Sequence, residues 1–203
     1  MWLFIAIVVV AGYLLGNLNG AICASKAMGD DVRTHGSGNA GLTNFIRSYG
    51  AGHAALVILI DAGKAVVGCL LGGWLLHSYL GWQEGAIIGG LAVMLGHVFP
   101  VFLGFRGGKG ILSGFFIALM VDYRVALIIL AVFALAYLTT GYVSLGSVLA
   151  SVAFAVAFAL LHWDNLVIVL CSIFMAILAV AMHGTNIRRL LRGEESKTNL
   201  FKK

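Results

Sequence analysis

Apolar residues run almost unbroken through seven stretches of this chain, at about 2–24, 53–76, 85–103, 111–121, 125–140, 146–161 and 166–183. Short polar or glycine-rich segments separate them. About 20 apolar residues cross the hydrocarbon of a bilayer, and a helix satisfies its own backbone there. The runs therefore predict membrane helices. Nothing in them alternates with the ten-residue period of a barrel strand. The 111–121 run is short and predicts a tilted or partly re-entrant segment. The first run has no Lys or Arg before Lys26. A cleaved signal peptide opens on a basic region, so this run is expected to remain as a span with its N-terminus outside.

Composition sharpens this picture. The chain has 203 residues, 61% hydrophobic and 10% charged, where a soluble domain carries about 25% charged residues. Mean hydropathy is +1.02. A soluble globule of this size cannot bury so much apolar surface. A soluble enzyme, a disordered chain and a secreted disulfide scaffold are all excluded. Cys23, Cys69 and Cys171 lie in apolar runs at irregular spacing and read as small buried hydrophobes.

The formal net charge is +5. In a soluble protein that would raise nucleic acid as a partner; here it reports topology, and none is expected. Of the 13 Lys and Arg, only Lys64 and Arg124 fall outside the first loop, the third loop and the tail. The positive-inside rule then places the odd loops and the tail, about 184–203, in the cytoplasm. The expected fold is all-α: a polytopic integral membrane protein with seven transmembrane helices, N-terminus outside, C-terminus cytoplasmic, and one membrane-embedded domain over 1–203. Small-xxx-small spacing recurs at Gly12, Gly16 and Gly20, at Gly68 and Gly72, and at Gly81, Gly85 and Gly89. Such faces let helices approach closely within a bundle, and they also suit a weak homodimer if the chain is not a monomer.

Polar side chains are scarce, so their placement is informative. Four cytoplasmic segments collect them: His35 to Arg47, Gly96 to Gly110, Tyr142 to Leu145, and His183 to Arg189. Gly36, Gly38 and Gly41 match GxGxxG, but no strand precedes them and a Rossmann reading fails its context. Gly107, Gly108 and Lys109 resemble a Walker loop only in part, since Leu103 and Gly110 stand where Gly and Ser or Thr belong. The physics of phosphate loops still holds. Glycine lets backbone amides turn toward an anion, and Arg106 and Lys109 stand beside them. Ser37, Asn39, Thr43 and Asn44 offer neutral hydrogen-bonding groups, and Arg47 can grip phosphate oxygens bidentately. The blander reading makes Arg106 and Lys109 anchors to anionic headgroups. His183 and Asn186 are spaced to share a helix face, and His97 lies near the inner end of the third run. Neither histidine has metal-ligand spacing. Asp61 and Lys64, three residues apart within the second run, are expected to pair.

These segments resemble the bacterial acyl-phosphate:glycerol-3-phosphate acyltransferases, the PlsY-type membrane family. The first family motif, approximately GSGNxGATNxxR, is matched by Gly36 to Arg47. The second, GHxxPVFxGFKGGKG, is matched by Gly96 to Gly110 with Arg106 in place of Lys. A YVSL segment matches Tyr142 to Leu145, and Met182 through Glu194 follows the third motif in part. The chain departs from the family at Asn17-Leu-Asn19, where a Ser-Ile-Pro-like stretch is usual, and at Leu42, Met182 and Thr185.

The resemblance implies transfer of a fatty acyl group from acyl phosphate to the 1-hydroxyl of glycerol 3-phosphate. The products are lysophosphatidate and inorganic phosphate, the setting is the bacterial cytoplasmic (inner) membrane, and the site faces the cytoplasm. It calls for no metal or cofactor. It casts Ser37, Arg47, Lys109, Ser144, His183 and Asn186 as catalytic. Gly36, Gly38, Asn39, Thr43, Asn44, His97, Arg106, Gly107, Gly108 and Gly110 would bind substrate and phosphate. Acyl phosphate is already activated, so a direct transfer needs positioning and charge stabilisation rather than an acyl-enzyme. The base is left between His183 and the substrate's own phosphate. A transporter or channel for a phosphorylated anion is the competing reading. Against it, the polar residues crowd one face and no inverted repeat is evident.

Overall fold

The structure, a computed structural model, describes residues 1–197. Lys202 and Lys203 of the basic tail lie outside the described residues. The described chain is helical, with no strand. It forms two compact units, Met1–Val121 and Asp122–Lys203. The first contains α1 (Trp2–Gly16), α2 (Gly20–Ala27), α3 (Leu42–Tyr49), α4 (Ala54–Leu76), α5 (Trp82–Val98) and α6 (Ile111–Val121). The second contains α7 (Tyr123–Thr140), α8 (Val143–Leu161), α9 (Leu166–Met182) and α10 (Gly184–Leu191).

All seven apolar runs become helices. Among the described residues five are long and apolar enough to cross a membrane, or six when α9 and α10 count as one span bent by 57°. The 11 residues of α6 reach only about 16 Å, against about 30 Å of hydrocarbon.

The first run differs from expectation. It is two helices, α1 and α2, broken at residues 17–19. Asn17 Nδ2 turns back to the Tyr13 carbonyl (2.7 Å), and Asn19 Oδ1 caps α2 by accepting from the Ile22 amide (3.0 Å). Asparagine side chains offer the backbone an alternative to the helix ladder, and here two of them break it.

Glycines set the packing of the first unit. Gly12 lies against Ala92, and Gly16 against Gly96, so α1 and α5 run parallel. Gly72 meets Gly85 and Gly68 meets Gly89, so α4 and α5 run antiparallel. A Cβ on Gly16 would stand 2.8 Å from Gly96 Cα. The faces at Gly12, Gly16 and Gly20, at Gly68 and Gly72, and at Gly85 and Gly89 thus pack inside the unit.

These directions gather Trp2, Trp74 and Trp82 at one end of the unit. The two glycine-rich segments lie at the other. In the second unit Gly146 packs on Phe133 of α7. Asp122 and His162 pair at 2.9 Å at one end of α7 and α8. The Tyr142–Leu145 segment lies at the opposite end, where α10 packs on α8.

Candidate active site

The first glycine segment is braced before it is available for chemistry. Asp31 accepts from the Arg33 amide (3.0 Å) and from its guanidinium (2.7 Å). Those bonds hold the Asp31 carboxyl down at about 2 despite partial burial. Arg33 Nη1 continues to the Leu103 carbonyl (2.9 Å), tying this segment to the second one. Gly36 and Gly38 take positive φ, +55° and +71°, which only glycine adopts freely. Asn44 then fastens the turn: its Oδ1 accepts from the Ser37 amide (2.9 Å), and its Nδ2 donates to Val32 O (3.1 Å) and His35 O (3.0 Å). Both amide protons are occupied and the residue is buried. Asn44 therefore shapes the loop, whereas Ser37, Gly38 and Arg47 stand exposed and Asn39 and Thr43 half-buried.

The second segment is equally constrained. Gly104 and Phe105 both have positive φ, +69° and +59°. For a bulky residue like Phe105 that is a strained backbone. The Phe105 amide returns to Pro100 O (2.9 Å) and the Gly108 amide to His97 O (3.1 Å). Gly107 and Gly108 admit no side chain, because a Cβ would strike the His97 carbonyl and the His97 ring respectively. Gly110, φ +79°, leads straight into the N-terminus of α6. The first-turn amides of α6 and the positive end of its dipole converge there, an arrangement that attracts phosphate. Lys109 is half-buried beside it and Arg106 is exposed.

The two segments touch. A Cβ on Gly108 would lie 2.6 Å from Ala40 O. The broken first span holds both: Asn19 Nδ2 donates to Ala40 O (3.1 Å), and Asn17 Oδ1 accepts from the Phe102 amide (3.2 Å). The departures at positions 17 and 19 thus have a structural use in this chain.

In the second unit, Ser144 lies in the first turn of α8, buried, with no hydrogen-bond partner for its Oγ among the described residues. His183 is buried at the bend between α9 and α10, its Nδ1 2.7 Å from Ala179 O. A carbonyl can only accept, so Nδ1 carries a proton. Asn186 Nδ2 donates to Glu195 Oε1 (2.7 Å), and Arg189 Nε to Glu195 Oε2 (2.7 Å). Burial pushes the Glu195 carboxyl up, but Asn186, the nearby Ser144 hydroxyl and Arg189 together bring it below the usual range.

The structure therefore joins the first and second motifs in one unit and the YVSL segment with the third motif in the other. Glu195 was missed by sequence reasoning. Its signal was a lone acidic pair in a basic tail, and the Asn186 contact nine residues back was invisible.

Apolar helices long enough to cross a bilayer, with two fused glycine loops at a helix N-terminus, define an integral membrane protein equipped to bind phosphorylated substrates. The family described as glycerol-3-phosphate acyltransferase matches residues 6–193. The glycerol-3-phosphate acyltransferase of Thermoanaerobacter pseudethanolicus is 40% identical over 196 residues, 96% of each chain. That of Finegoldia magna is 37% identical over 201 residues, 97% of each. Among solved structures, the glycerol 3-phosphate form of PlsY (YgiH), an integral membrane glycerol 3-phosphate acyltransferase, superposes with a TM-score of 0.86 at 31% identity. It covers 98% of this chain and 99% of its own. The lysophosphatidic acid form gives 0.83 at 32% identity, with 97% and 96% covered. The chain belongs to the glycerol-3-phosphate acyltransferase family and is an acyltransferase.

Proposed function

We propose that this chain transfers a fatty acyl group from acyl phosphate to the 1-hydroxyl of glycerol 3-phosphate, giving lysophosphatidate and inorganic phosphate. The observation that carries this reading is the pair of touching glycine loops ending at the N-terminus of α6. Solved relatives in glycerol 3-phosphate and lysophosphatidic acid forms support the acceptor and the product class.

In this mechanism the amides of Gly36, Gly107 and Gly110, with Arg47, Lys109 and the exposed Arg106, hold phosphate groups, while the Gly38 and Gly108 amides bond to His35 O (2.9 Å) and His97 O (3.1 Å) and shape the loops. Ser37, Asn39 and Thr43 fix their orientation, and Asn44 keeps the loop in shape. Ser144, whose Oγ makes no formed hydrogen bond among the described residues, donates to the acyl carbonyl as negative charge develops on its oxygen. His183 and Asn186 serve glycerol 3-phosphate. The acceptor hydroxyl attacks the acyl carbon, the bond to the phosphate oxygen breaks, and phosphate leaves with the electron pair. The hydroxyl proton goes to His183 Nε2 or to a substrate phosphate.

The whole chain acts as one acyltransferase domain. Seven crossings, with the N-terminus outside, put both glycine loops in the cytoplasm of a bacterial inner membrane. The tryptophans at the opposite end of the first unit suit an outer aromatic belt.

Purified protein in lipid, given glycerol 3-phosphate and long-chain acyl phosphate, tests this. Lysophosphatidate and phosphate should appear one-for-one. Arg47→Ala and Lys109→Ala should each raise KM for glycerol 3-phosphate roughly 10–150-fold or abolish turnover. Wild-type kinetics in both variants would remove the phosphate clamp, and no product with any donor would remove the reaction.

A further inference from the structure

Asp61 and Lys64 take no part in the chemistry above. They lie one turn apart in α4, both buried, with Lys64 Nζ 2.8 Å from Asp61 Oδ1. Their other bonds reach outward. Asp61 Oδ1 accepts from the Gly20 amide (3.1 Å), the first of α2. Lys64 Nζ donates to Leu18 O (2.6 Å) and lies 3.3 Å from Gly16 O, where α1 ends. The carboxylate thus sits at the N-terminus of one half-helix and the ammonium at the C-terminus of the other. Each is at the favourable end of a dipole and satisfies backbone groups that the break leaves open.

The remaining partner of Lys64 is His97, with Nζ 2.7 Å from Nδ1. An ammonium has protons and no lone pair. Nδ1 must therefore accept, and the neutral ring carries its proton on Nε2. Asp61 Oδ1, at 3.6 Å from Nδ1, is too far to take a proton bond. Nε2 faces the second glycine loop, since a Cβ on Gly108 would collide with it. The His97 carbonyl accepts from the Gly108 amide (3.1 Å), so the residue and the loop are fixed to one another. The tautomer decides the sign of the interaction with an anion. A proton on Nε2 makes the ring a donor; a proton on Nδ1 would turn a lone pair toward the phosphate.

We propose that Asp61 and Lys64 are positioning residues that hold the His97 ring with its proton on Nε2. That N–H is presented, beside the amides of Gly107 and Gly110, to a phosphate oxygen of the substrate. The proposal rests on the reading of this loop as the phosphate site.

Two measurements separate the proposal from that reading. In protein labelled with ¹⁵N-histidine and held in lipid nanodiscs, the His97 resonances, assigned by their loss in His97→Gln, should show a neutral ring protonated on Nε2. Inorganic phosphate should shift the Nε2 signal. A proton on Nδ1, a charged ring, or no response to phosphate would overturn the proposal whether or not the enzyme turns over.

The second measurement is kinetic. His97→Asn keeps an acceptor for Lys64 where Nδ1 was and removes the distal N–H. It should raise KM for glycerol 3-phosphate or acyl phosphate roughly 10–100-fold, with kcat changed far less. His97→Gln, whose amide nitrogen reaches the Nε2 position, should recover part of that loss. Asp61→Asn/Lys64→Met removes both charges and leaves no lone buried ion. It should reproduce the KM rise and mix the tautomers. If that double variant does not fold, the His97 pair decides alone. Wild-type KM in folded His97→Asn would refute the inference, while an inactive wild-type enzyme with the expected tautomer and phosphate shift would fault the reaction instead.

Discussion

Adding one methyl group to Gly72 should separate α4 from α5, the helix that leads into the second glycine loop. A Cβ there would collide with the Gly85 carbonyl oxygen, stand 2.9 Å from its carbon and 3.0 Å from the Gly89 nitrogen. Comfortable contact is about 3.5 Å or more, and the carbonyl oxygen is the tightest obstacle, so α4 and α5 must part by about 1 Å or more. Every obstacle is backbone, so no side chain can rotate away. Overpacking of this kind costs about 1–3 kcal/mol. For a chain of this length that lowers the melting temperature by about 2–12 °C. Gly63, on the same helix, is the control. Nothing lies within 4 Å of where its Cβ would be. Gly63→Ala should stabilise by about 0.5–1 kcal/mol, because alanine loses less backbone freedom in a helix. The chain contains its own reporter. Cys69 is fully buried on α4, with Sγ 3.1 Å from where a Cβ on Gly90 of α5 would stand. With Cys23 and Cys171 replaced, a thiol-reactive fluorogenic dye reads the opening of this seam on heating. Equal melting temperatures for Gly72→Ala and Gly63→Ala would refute the reasoning.

Three further outcomes follow from the same geometry. Asp31 and Asp122 are each held at about 2, mainly by hydrogen bonds from Arg33 and Arg124, against an ordinary 3.8. A depressed carboxyl stabilises the fold above its unfolded value. Circular-dichroism melts should therefore stay level down to about pH 5 and fall between about 4 and 2, with a shallower fall in Asp122→Asn. Ser144→Ala removes a hydroxyl that makes no formed hydrogen bond among the described residues and only assists Asn186 and Arg189 at Glu195, so its melting temperature should stay close to wild type while kcat drops about 10²–10³-fold, the cost of losing an oxyanion donor. A parallel loss of stability would make Ser144 structural. Glu195→Gln leaves Arg189 facing an amide proton instead of a carboxylate oxygen; it should lower the melting temperature by a few degrees and raise KM for glycerol 3-phosphate, and unchanged kinetics would detach Asn186 from the substrate.

The apolar runs were legible because a bilayer admits few alternatives to a helix, and the four polar segments stood out because the rest of the chain is so apolar. The break at 17–19 was not legible. Asn17 and Asn19 lie in a run whose hydropathy reads as one span, and what ends the helix is their bonding to Tyr13, Phe102, Ala40 and Ile22. Two of those partners are distant in sequence. The same holds for the glycines. Spacing announced a close helix face, but that Gly16 meets Gly96 and Gly72 meets Gly85 depends on which helices become neighbours. Lys64 is the sharpest case. Its spacing gave the pair with Asp61, which the structure contains. The bonds to Leu18 and His97 turn that pair into a junction between the broken span and the second glycine loop. In a membrane protein a buried charge must be fully partnered, so it is drawn to wherever the backbone is open. In this chain the open backbone lies at the helix break that also carries the two phosphate loops.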